Sequence, residues 1–420
     1  MRSRGGRVQN TYPRLRPSVI AAPLPALGLA LLLAMFTGCA TRPDPNLQQL
    51  TVGHAIDPLN PPELRRIEPA YLSTHSYRVL DFGIAPWFRF HRSALSLTFD
   101  DGTLDQFLLA APELEGRGLA ATFFLITGAV ETGWWQDGPA RRRLLSWDQA
   151  RRLSRAGHEL ASHGVTHAKL LGRDELVREE LENSRQRIDR EIRARSCVSF
   201  CWPYWKCDEA SRALAGRYYL SARAGGPSPQ RYPGKNGGIP PPEPPDLYQI
   251  NCMGILSRDQ FEDWRGAGQG VLDRGGWAVL NFHGIDDGRI DREALGWSAL
   301  PMDSFRALLD HIVGLDLWIA PYGRVTRYIR ERRAATLHLT DWRPSSIALV
   351  LEDGEDDAVF DQALTLRLRL PAGWRGARAE QDGQLFWSRT DEEGFLHFDA
   401  FPNGKTIILT RTDPGGGTRR

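Results

Sequence analysis

The residues of this 420-residue chain that are best suited to catalysis or metal binding are two adjacent carboxylates and two histidines. Asp100 and Asp101 follow the apolar run Leu95–Phe99, which is typical of a buried strand, and parallel α/β folds build their sites where strands end. His163 and His167 have the spacing His-x-x-x-His, which predicts two imidazoles on one side of a helical turn, where they can share a metal ion. Each pair alone has a structural alternative, because Asp-Asp-Gly is also common in turns.

Two further motifs place single polar groups among aromatic residues. One is Phe200-Cys-Trp-Pro-Tyr204 and the other is Val279-Leu-Asn-Phe-His283, in which the histidine follows an apolar run. An isolated histidine at a strand end is often only a hydrogen-bonded structural residue. The order of the four motifs along the chain, rather than any one of them, indicates a catalytic site.

Strand and helix signals alternate in the part of the chain that carries these motifs. Ser146 and Gln149 form a capping box that predicts the start of a helix, and Gly157 predicts its end. Repeated strand–helix units predict a parallel sheet or a barrel. The predicted strands are Leu95–Phe99, Ala121–Thr127, His158–Ala161, Val198–Phe200 and Trp277–Phe282, and two further predicted helices are Leu104–Gly116 and Glu175–Ile192.

The pattern changes after Arg332. Short strand-like runs separated by Gly, Asp and Pro predict a small all-β module, a β-sandwich over residues 336–415. The predicted strands are Ile347–Leu351, Leu364–Leu370, Gln384–Trp387, Gly394–Phe398 and Thr406–Leu409. Upstream, the Pro- and Gly-rich segment Gly225–Pro245 is either a surface loop or a lid beside the active site.

The first 39 residues have the organisation of an export signal. A basic start without acidic residues precedes the apolar stretch Val19–Phe36, which ends at Gly38 and Cys39. An uncleaved membrane anchor is the alternative, but Pro23 and Pro25 interrupt the stretch. The Gly-Cys ending resembles the lipobox of bacterial lipoproteins, which implies that residues 1–39 are a signal peptide and that lipidated Cys39 becomes the mature N-terminus. We then expect a tether and an N-terminal lead-in over residues 40–88, and a location on the periplasmic side of the cell envelope, at the outer membrane.

Composition restricts the partners and the role of the thiols. Lys and Arg number 53 against 51 acidic residues, so the net charge of +2 gives no electrostatic case for binding nucleic acid. Four cysteines remain after Cys39, and no C-x-x-C pair supports a thiolate zinc site. Export to an oxidising compartment predicts at least one disulfide, with Cys252 paired to Cys197, Cys201 or Cys207.

The four motifs together resemble the polysaccharide-deacetylase family, also called the NodB-homology or carbohydrate esterase family four. The resemblance runs from about Leu95 to Arg332 and includes the run Leu317-Trp-Ile-Ala-Pro-Tyr-Gly323. It implies a distorted (β/α)7 barrel over residues 89–335. It also implies a metal-dependent hydrolase that removes acetyl groups from a carbohydrate polymer.

The resemblance assigns a role to each motif residue. Asp101, His163 and His167 would bind a divalent metal ion, commonly zinc, which lowers the pKa of a bound water and polarises the acetyl carbonyl. Asp100 would be the general base. The backbone N–H at Tyr204 would help to hold the oxyanion. His283 would be the general acid, which an amine leaving group needs.

Two departures from the family pattern stand out. The third motif of the family often begins with an arginine that braces the catalytic aspartate, and Cys201 occupies that position here. Lys206 lies nearby in sequence and is a candidate replacement. For the fourth motif, which usually holds an acidic residue with a tryptophan, Asp246 is the candidate.

Three functions remain open from the sequence. The first is deacetylation of a polysaccharide, for which N-acetyl groups of a glucosamine polymer are favoured over O-acetyl esters of the xylan type because His283 is present. The second is a non-catalytic polysaccharide-binding protein, which the complete set of catalytic residues disfavours. The third is an amidohydrolase for a small molecule.

The lipoprotein interpretation makes a prediction about Cys39. Metabolic labelling with a radioactive fatty acid should label the wild-type protein, which should partition with membranes, because several acyl chains on one residue anchor a protein stably. Cys39→Ser should abolish the label, leaving an uncleaved membrane form or soluble protein. Identical labelling of both proteins would mean that the apolar stretch is a plain anchor.

Overall fold

The structure is a computed structural model that describes residues 82–171, 174–225, 246–257, 259–260, 262 and 275–412. The predictions for the signal peptide, for Cys39, for most of the tether and for residues 226–245 of the Pro- and Gly-rich segment lie outside these ranges. Within them, no helix combines the length and the apolar character needed to span a membrane.

A closed parallel barrel forms the larger part of the described structure. Strands β2, β3, β6, β7, β8, β9 and β10 pair in that order, and β10 pairs back with β2. The strands of this part, numbered along the chain, are β1 Phe82–Ile84, β2 Ser93–Phe99, β3 Thr122–Leu125, β4 Trp134–Asp137, β5 Ala140–Arg143, β6 Glu159–Ser162, β7 Ser199–Cys201, β8 Ser221–Gly225, β9 Ile250–Gly254, β10 Trp277–Phe282, β11 Ile285–Asp286, β12 Leu300–Pro301 and β13 Leu317–Ile319. The predicted (β/α)7 barrel is confirmed.

The helices connect the barrel strands and cover the barrel. They are α1 Ala111–Glu115, α2 Thr127–Thr132, α3 Trp147–Arg155, α4 Asp174–Glu191, α5 Glu209–Ala215, α6 Met302–Val313 and α7 Tyr322–Ala334. The predicted capping box is confirmed, since Ser146 Oγ accepts from the Gln149 N–H at 3.3 Å and Gln149 Oε1 accepts from the Ser146 N–H at 2.8 Å. The predicted helix Leu104–Gly116 is confirmed in part, because a π-helical turn at Gln106–Ala110 precedes α1.

Strand prediction succeeded for the long apolar runs and missed two barrel strands in which apolar residues are interrupted by small or polar ones. Strands β2 and β10 are buried along their full lengths, as expected for strands that are covered on both faces. Strands β8 and β9, with the sequences Ser-Ala-Arg-Ala-Gly and Ile-Asn-Cys-Met-Gly, were not predicted. Small residues and an arginine carry little strand signal, and the barrel interior buries them nevertheless.

The C-terminal strands form two antiparallel sheets, which confirms the all-β prediction. One has the order β14-β15-β21-β17-β18 and the other β1-β16-β20-β19, so that Phe82–Ile84 completes the second sheet. Side chains of the barrel, including Trp318 and Tyr328, share one buried apolar cluster with Leu349 and Leu366 of these sheets. The strands are β14 Thr336–Arg343, β15 Ser346–Glu352, β16 Leu364–Arg369, β17 Ala377–Gln381, β18 Gln384–Leu385, β19 Ser388–Thr390, β20 Phe395–Ala400 and β21 Asn403–Arg411.

The disulfide prediction is wrong for the four cysteines that the structure describes. Cys197, Cys201, Cys207 and Cys252 are all free thiols. Cys201 lies on β7 and Cys252 on β9, with β8 between them. Two strand spacings separate their backbones by roughly 9.5 Å, beyond the ~7 Å that a disulfide spans.

Candidate active site

The turn after β2 directs two neighbouring carboxylates to different partners. The Asp100 N–H donates to the Phe282 carbonyl at 2.9 Å, so barrel closure sets the end of β2 beside the end of β10. Asp101 and Gly102 then adopt left-handed conformations, with φ of 75° and 78°. Glycine is required at the second position, because a Cβ there would lie 2.7 Å from Leu125 Cδ2.

The three residues predicted to bind a metal ion are brought together. Asp101 Oδ1 lies 3.6 Å from His163 Nε2 and 3.7 Å from His167 Nε2. One donor atom from each residue lies within 4.8 Å of the other two, and the three side chains are nearly buried. One carboxylate and two imidazoles leave a tetrahedral ion one open position, as catalytic zinc sites do.

The histidines converge through a loop, so the predicted helical turn is wrong. Residues 163–168 after β6 are non-helical, with φ of 84° at Gly164 and 62° at His167. The buried carboxylate of Glu180 on α4 holds the loop, accepting from the N–H groups of Val165 at 2.6 Å and Thr166 at 3.1 Å. A Cβ on Gly164 would lie 2.6 Å from that carboxylate, so the loop conformation depends on glycine.

The protonation states of this cluster fit a bound cation. His163 Nδ1 lies 2.8 Å from the Cys201 carbonyl, which can only accept, so Nδ1 carries the proton and Nε2 offers its lone pair. Burial lowers the pKa of His163 to about 4, and burial with the nearby His163 lowers the pKa of His167 to about 3, so both rings are neutral near pH 7. Burial and the neighbouring Asp100 raise the pKa of Asp101 well above its usual value. A cation among these donors would stabilise the ionised form of Asp101.

Asp100 is held by a buried arginine that the sequence analysis did not identify. Arg223 lies on β8 opposite Cys201, and its Nη2 donates to both carboxylate oxygens of Asp100. The same guanidinium donates to Cys201 Sγ at 2.8 Å and to Cys252 Sγ at 2.6 Å. Burial alone would raise the pKa of Asp100, but Arg223, with smaller contributions from His163 and His283, lowers it.

A second group of donors, Asp100, His163 and Cys201, also lies close enough to hold an ion. Arg223 already neutralises Asp100 and approaches the Cys201 sulfur. Burial raises the pKa of the Cys201 thiol well above its usual value, so the sulfur keeps its proton. A cation there would face a guanidinium and a protonated thiol, so this group fits a metal less well than Asp101, His163 and His167 do.

Neither candidate proposed for the two divergent motifs reaches the site. Lys206 is exposed, and Arg223 takes the place beside Asp100 that it was expected to fill. Asp246 lies at the surface, where Arg212 Nε approaches it at 3.0 Å. The one available signal for Arg223 was an arginine within the small-residue run Ser-Ala-Arg-Ala-Gly.

His283 and Tyr204 border the same cluster. His283 Nε2 lies 3.8 Å from Asp100 Oδ2, and burial lowers the pKa of this imidazole to about 4. The Tyr204 ring lies 4.6 Å from the His167 ring and is half exposed. The turn that carries Tyr204 is closed by the N–H groups of Trp205 and Lys206, and Tyr204 itself has a φ of 55°. All six predicted site residues therefore lie in one region.

Two tryptophans beside the cluster also escaped sequence analysis. Trp135, on the β4–β5 hairpin, packs its ring edge-on against His167 at 4.9 Å. Trp297 packs edge-on against His283 at 5.0 Å and is about half exposed. With Tyr204 they give the site an open, partly aromatic rim.

The sequence profile described as polysaccharide deacetylase matches residues 89–222. These residues are similar to the polysaccharide deacetylase family. The match includes Asp100, Asp101, both histidines of the His-x-x-x-His motif and Tyr204, and it ends before Arg223 and His283.

Individual relatives are distant. A gellan lyase from a Bacillus species is 22% identical over 363 residues, which cover 80% of this chain and 13% of that protein. The Streptococcus pyogenes deacetylase PplD, solved with acetate, is 22% identical, with 40% of this chain and 68% of that chain covered and a TM-score of 0.31. The Xyl-CE4 domain of a multidomain xylanase from the hindgut metagenome of Trinervitermes trinervoides is 17% identical, with 56% of this chain and 89% of that chain covered and a TM-score of 0.35.

The Arg223–Asp100 pair predicts a large stability effect from a single substitution. Arg223→Ala should lower the free energy of unfolding by about 3–5 kcal/mol, because it leaves the Asp100 carboxylate buried without a partner. Denaturant titration of the purified protein measures this loss. The exposed Arg217→Ala is the matched control and should change stability by at most about 0.5 kcal/mol.

A relocated arginine tests whether the loss of the positive charge is what lowers the stability of Arg223→Ala. Cys201 faces the same carboxylate, with Sγ 3.9 Å from Asp100 Oδ2. The double variant Cys201→Arg/Arg223→Ala should therefore be more stable than Arg223→Ala alone. Equal stability of Arg223→Ala and Arg217→Ala would argue against the pair as a major contribution.

Proposed function

We propose that this protein is a metal-dependent hydrolase that removes N-acetyl groups from an acetylated glucosamine polymer. The observation that carries the proposal is the convergence of Asp101, His163 and His167 beside Asp100, which Arg223 holds in its ionised form. A carboxylate that is ionised but engaged by Arg223 suits a base, whereas Asp101 is free to bind a cation. Two imidazoles with one carboxylate suit zinc, which is the ion we expect.

The residues around the cluster divide the chemistry of amide hydrolysis. A bound divalent ion supplies a water of lowered pKa and polarises the acetyl carbonyl. Asp100 accepts the proton of the attacking water at Oδ2, which lies on the side that faces His283. The Trp205 and Lys206 N–H groups close the turn, and among the described residues the Tyr204 N–H has no backbone acceptor, so it is the donor that we assign to an oxyanion.

His283 delivers a proton to the departing amine. Because its pKa is lowered to about 4, the free imidazole is neutral near pH 7 and has to gain a proton first. Asp100 Oδ2, 3.8 Å from His283 Nε2, is the nearest source once it has taken the proton of water. A small closing motion then carries this proton from base to acid and on to the leaving nitrogen.

The presence of His283 favours amide over ester substrates, since an alkoxide leaves with less help than an amine. O-deacetylation of a xylan-type polymer is the alternative within the same chemistry. The half-exposed Tyr204 and Trp297 leave the site open, which suits a polymer better than a small molecule. A non-catalytic binding protein would not need the ionised base and the acid together.

We also propose that the enzyme works outside the cytoplasm, attached to the outer membrane by lipid at Cys39. The Gly38-Cys39 ending of the apolar stretch supports this proposal. Acetylated envelope or external polysaccharides would then be within reach of the tethered domain. The labelling of Cys39→Ser tests this part separately from the catalytic part.

The metal content of the protein should depend on the presence of both histidines and on the protonation of the ligands. Elemental analysis should find about one divalent ion per chain, strongly reduced in His163→Ala and His167→Ala. With pKa values of about 4 and about 3, both imidazoles are neutral near pH 7 and do not compete with the ion by binding protons. The metal content should fall on acidification, because Asp101, whose pKa is raised well above its usual value, takes up a proton before the two imidazoles do. Unchanged metal content in both variants would disprove the ligand assignment.

The roles of Asp100 as base and His283 as acid can be separated by comparing substrates whose leaving groups differ. Asp100→Asn should retain the metal and lose activity by about 100-fold or more on every substrate, because every substrate needs the attacking water. His283→Ala should retain the metal and lose about 100-fold on an N-acetylated glucosamine oligomer but far less on an aryl acetate, whose phenolate leaves unaided. Equal losses on both substrates would exclude His283 as the acid.

A further inference from the structure

Asp105 is a buried carboxylate that the proposed chemistry does not use. It follows Thr-Phe-Asp-Asp-Gly by three residues, and its side chain has no exposure to solvent. Its Oδ2 accepts from the Ile285 N–H at 2.6 Å, and its Oδ1 accepts from the Gly296 N–H at 3.1 Å. Both amides belong to the segment that follows β10, which begins with His283.

The segment 283–297 folds back on itself at the point where Asp105 holds it. A Cβ on Gly296 would lie 2.7 Å from the Gly284 nitrogen, so the two glycine backbones are in direct contact. The stretches around Gly284 and Gly296 are therefore too close for a side chain to fit between them. The Asp105 carboxylate spans them from one side, accepting one N–H from each.

The neighbouring Gln106 holds the first residue of the same segment. Its Nε2 donates to the His283 carbonyl at 2.6 Å and to the Asp100 carbonyl at 2.5 Å. Asp105 and Gln106 lie at the start of the π-helical turn that follows β2. The turn after β2 thus binds the backbone at His283 itself and again two residues beyond it, at Ile285.

The imidazole of His283 depends on this support because it has little of its own. Among the described residues, its buried Nδ1 has no hydrogen-bond partner. The ring contacts Trp297 edge-on, and Trp297 directly follows Gly296, the second residue that Asp105 holds. Ring position is therefore set by the backbone at 283–285 and by the tryptophan, and Asp105 holds both.

We propose that Asp105 is a positioning residue for His283, acting through the Ile285 and Gly296 amides. The inference rests on the proposed role of His283 as the acid for the leaving group. The alternative is a carboxylate that only stabilises the fold. The two differ in substrate dependence, since a displaced acid slows only reactions with poor leaving groups.

The test uses Asp105→Asn in the full, metal-loaded chain. The amide keeps one acceptor but turns an NH2 toward the second backbone N–H, which pushes one side of the segment away. We expect kcat on an N-acetylated glucosamine oligomer to fall about 10- to 100-fold, as for a displacement of about 1 Å. We expect kcat on an aryl acetate to fall less than about 3-fold, with KM and metal content unchanged, because the base and the ligands stay in place.

Two companion variants separate positioning from general stability. Asp399→Asn is the matched control, because Asp399 is also buried and accepts hydrogen bonds from Thr365 and Arg89, away from the site. It should lower thermal stability without changing the ratio of amide to ester rates. If Asp105→Asn does not fold, Gln106→Met removes the bonds to the His283 and Asp100 carbonyls, which should slow both reactions but the amide reaction more, so that the ratio of amide to ester rates still falls.

A double variant decides whether Asp105 acts through His283. Asp105→Asn/His283→Ala should be no slower on the amide than His283→Ala alone, because a missing acid cannot be misplaced. The positioning role would be overturned if Asp105→Asn lowered kcat equally on both substrates. It would also be overturned if the fold-losses in kcat of the two single variants multiplied in the double variant. If His283→Ala shows no preference for the amide, the acid assignment in the proposed function fails, and the role of Asp105 fails with it.

Discussion

The buried ion pair between Asp100 and Arg223 is the interaction on which the rest of the site depends. Barrel closure carries the end of β2 into the interior, where an unpaired carboxylate would cost several kcal/mol or take up a proton. Arg223 supplies the opposite charge from β8, and neither side chain is exposed to solvent by more than 2%. The pair keeps Asp100 ionised and fixes its orientation. Among the described residues, no arginine or lysine forms an ion pair with its neighbour Asp101, whose carboxylate lies beside the two histidines.

This division explains how adjacent carboxylates acquire opposite properties. The pKa of Asp100 is lowered by Arg223 despite burial, while the pKa of Asp101 is raised by burial and by Asp100. Because Asp101 has a left-handed backbone conformation, the two side chains point in different directions. Two residues of the same type can therefore have different roles, and the charges around each carboxylate decide which role it has.

Each loop of the site is held by a polar side chain that is itself buried. Glu180 binds the backbone between the two histidines, Gln106 binds the carbonyls of Asp100 and His283, and Asp105 binds the segment after β10. These loops contain strained conformations and close glycine contacts that would not persist in isolation. Hydrogen bonds between the backbone and these buried side chains compensate for that strain and hold the candidate site residues in place.

The sequence by itself determined the parts of this protein that depend on short-range pattern. Thr-Phe-Asp-Asp-Gly and His-x-x-x-His located the residues that converge at the candidate site, and large apolar runs identified β2 and β10 at nearly their observed bounds. It could not identify Arg223, which lies 22 residues beyond Cys201 in a strand too poor in large side chains to be predicted. It also predicted a helix around His163 and a disulfide at Cys252, both wrong, because Glu180 and barrel strand order decide those features. Only the closed barrel decides which residues meet, since the charges and hydrogen bonds that tune the site join strands that are distant in sequence.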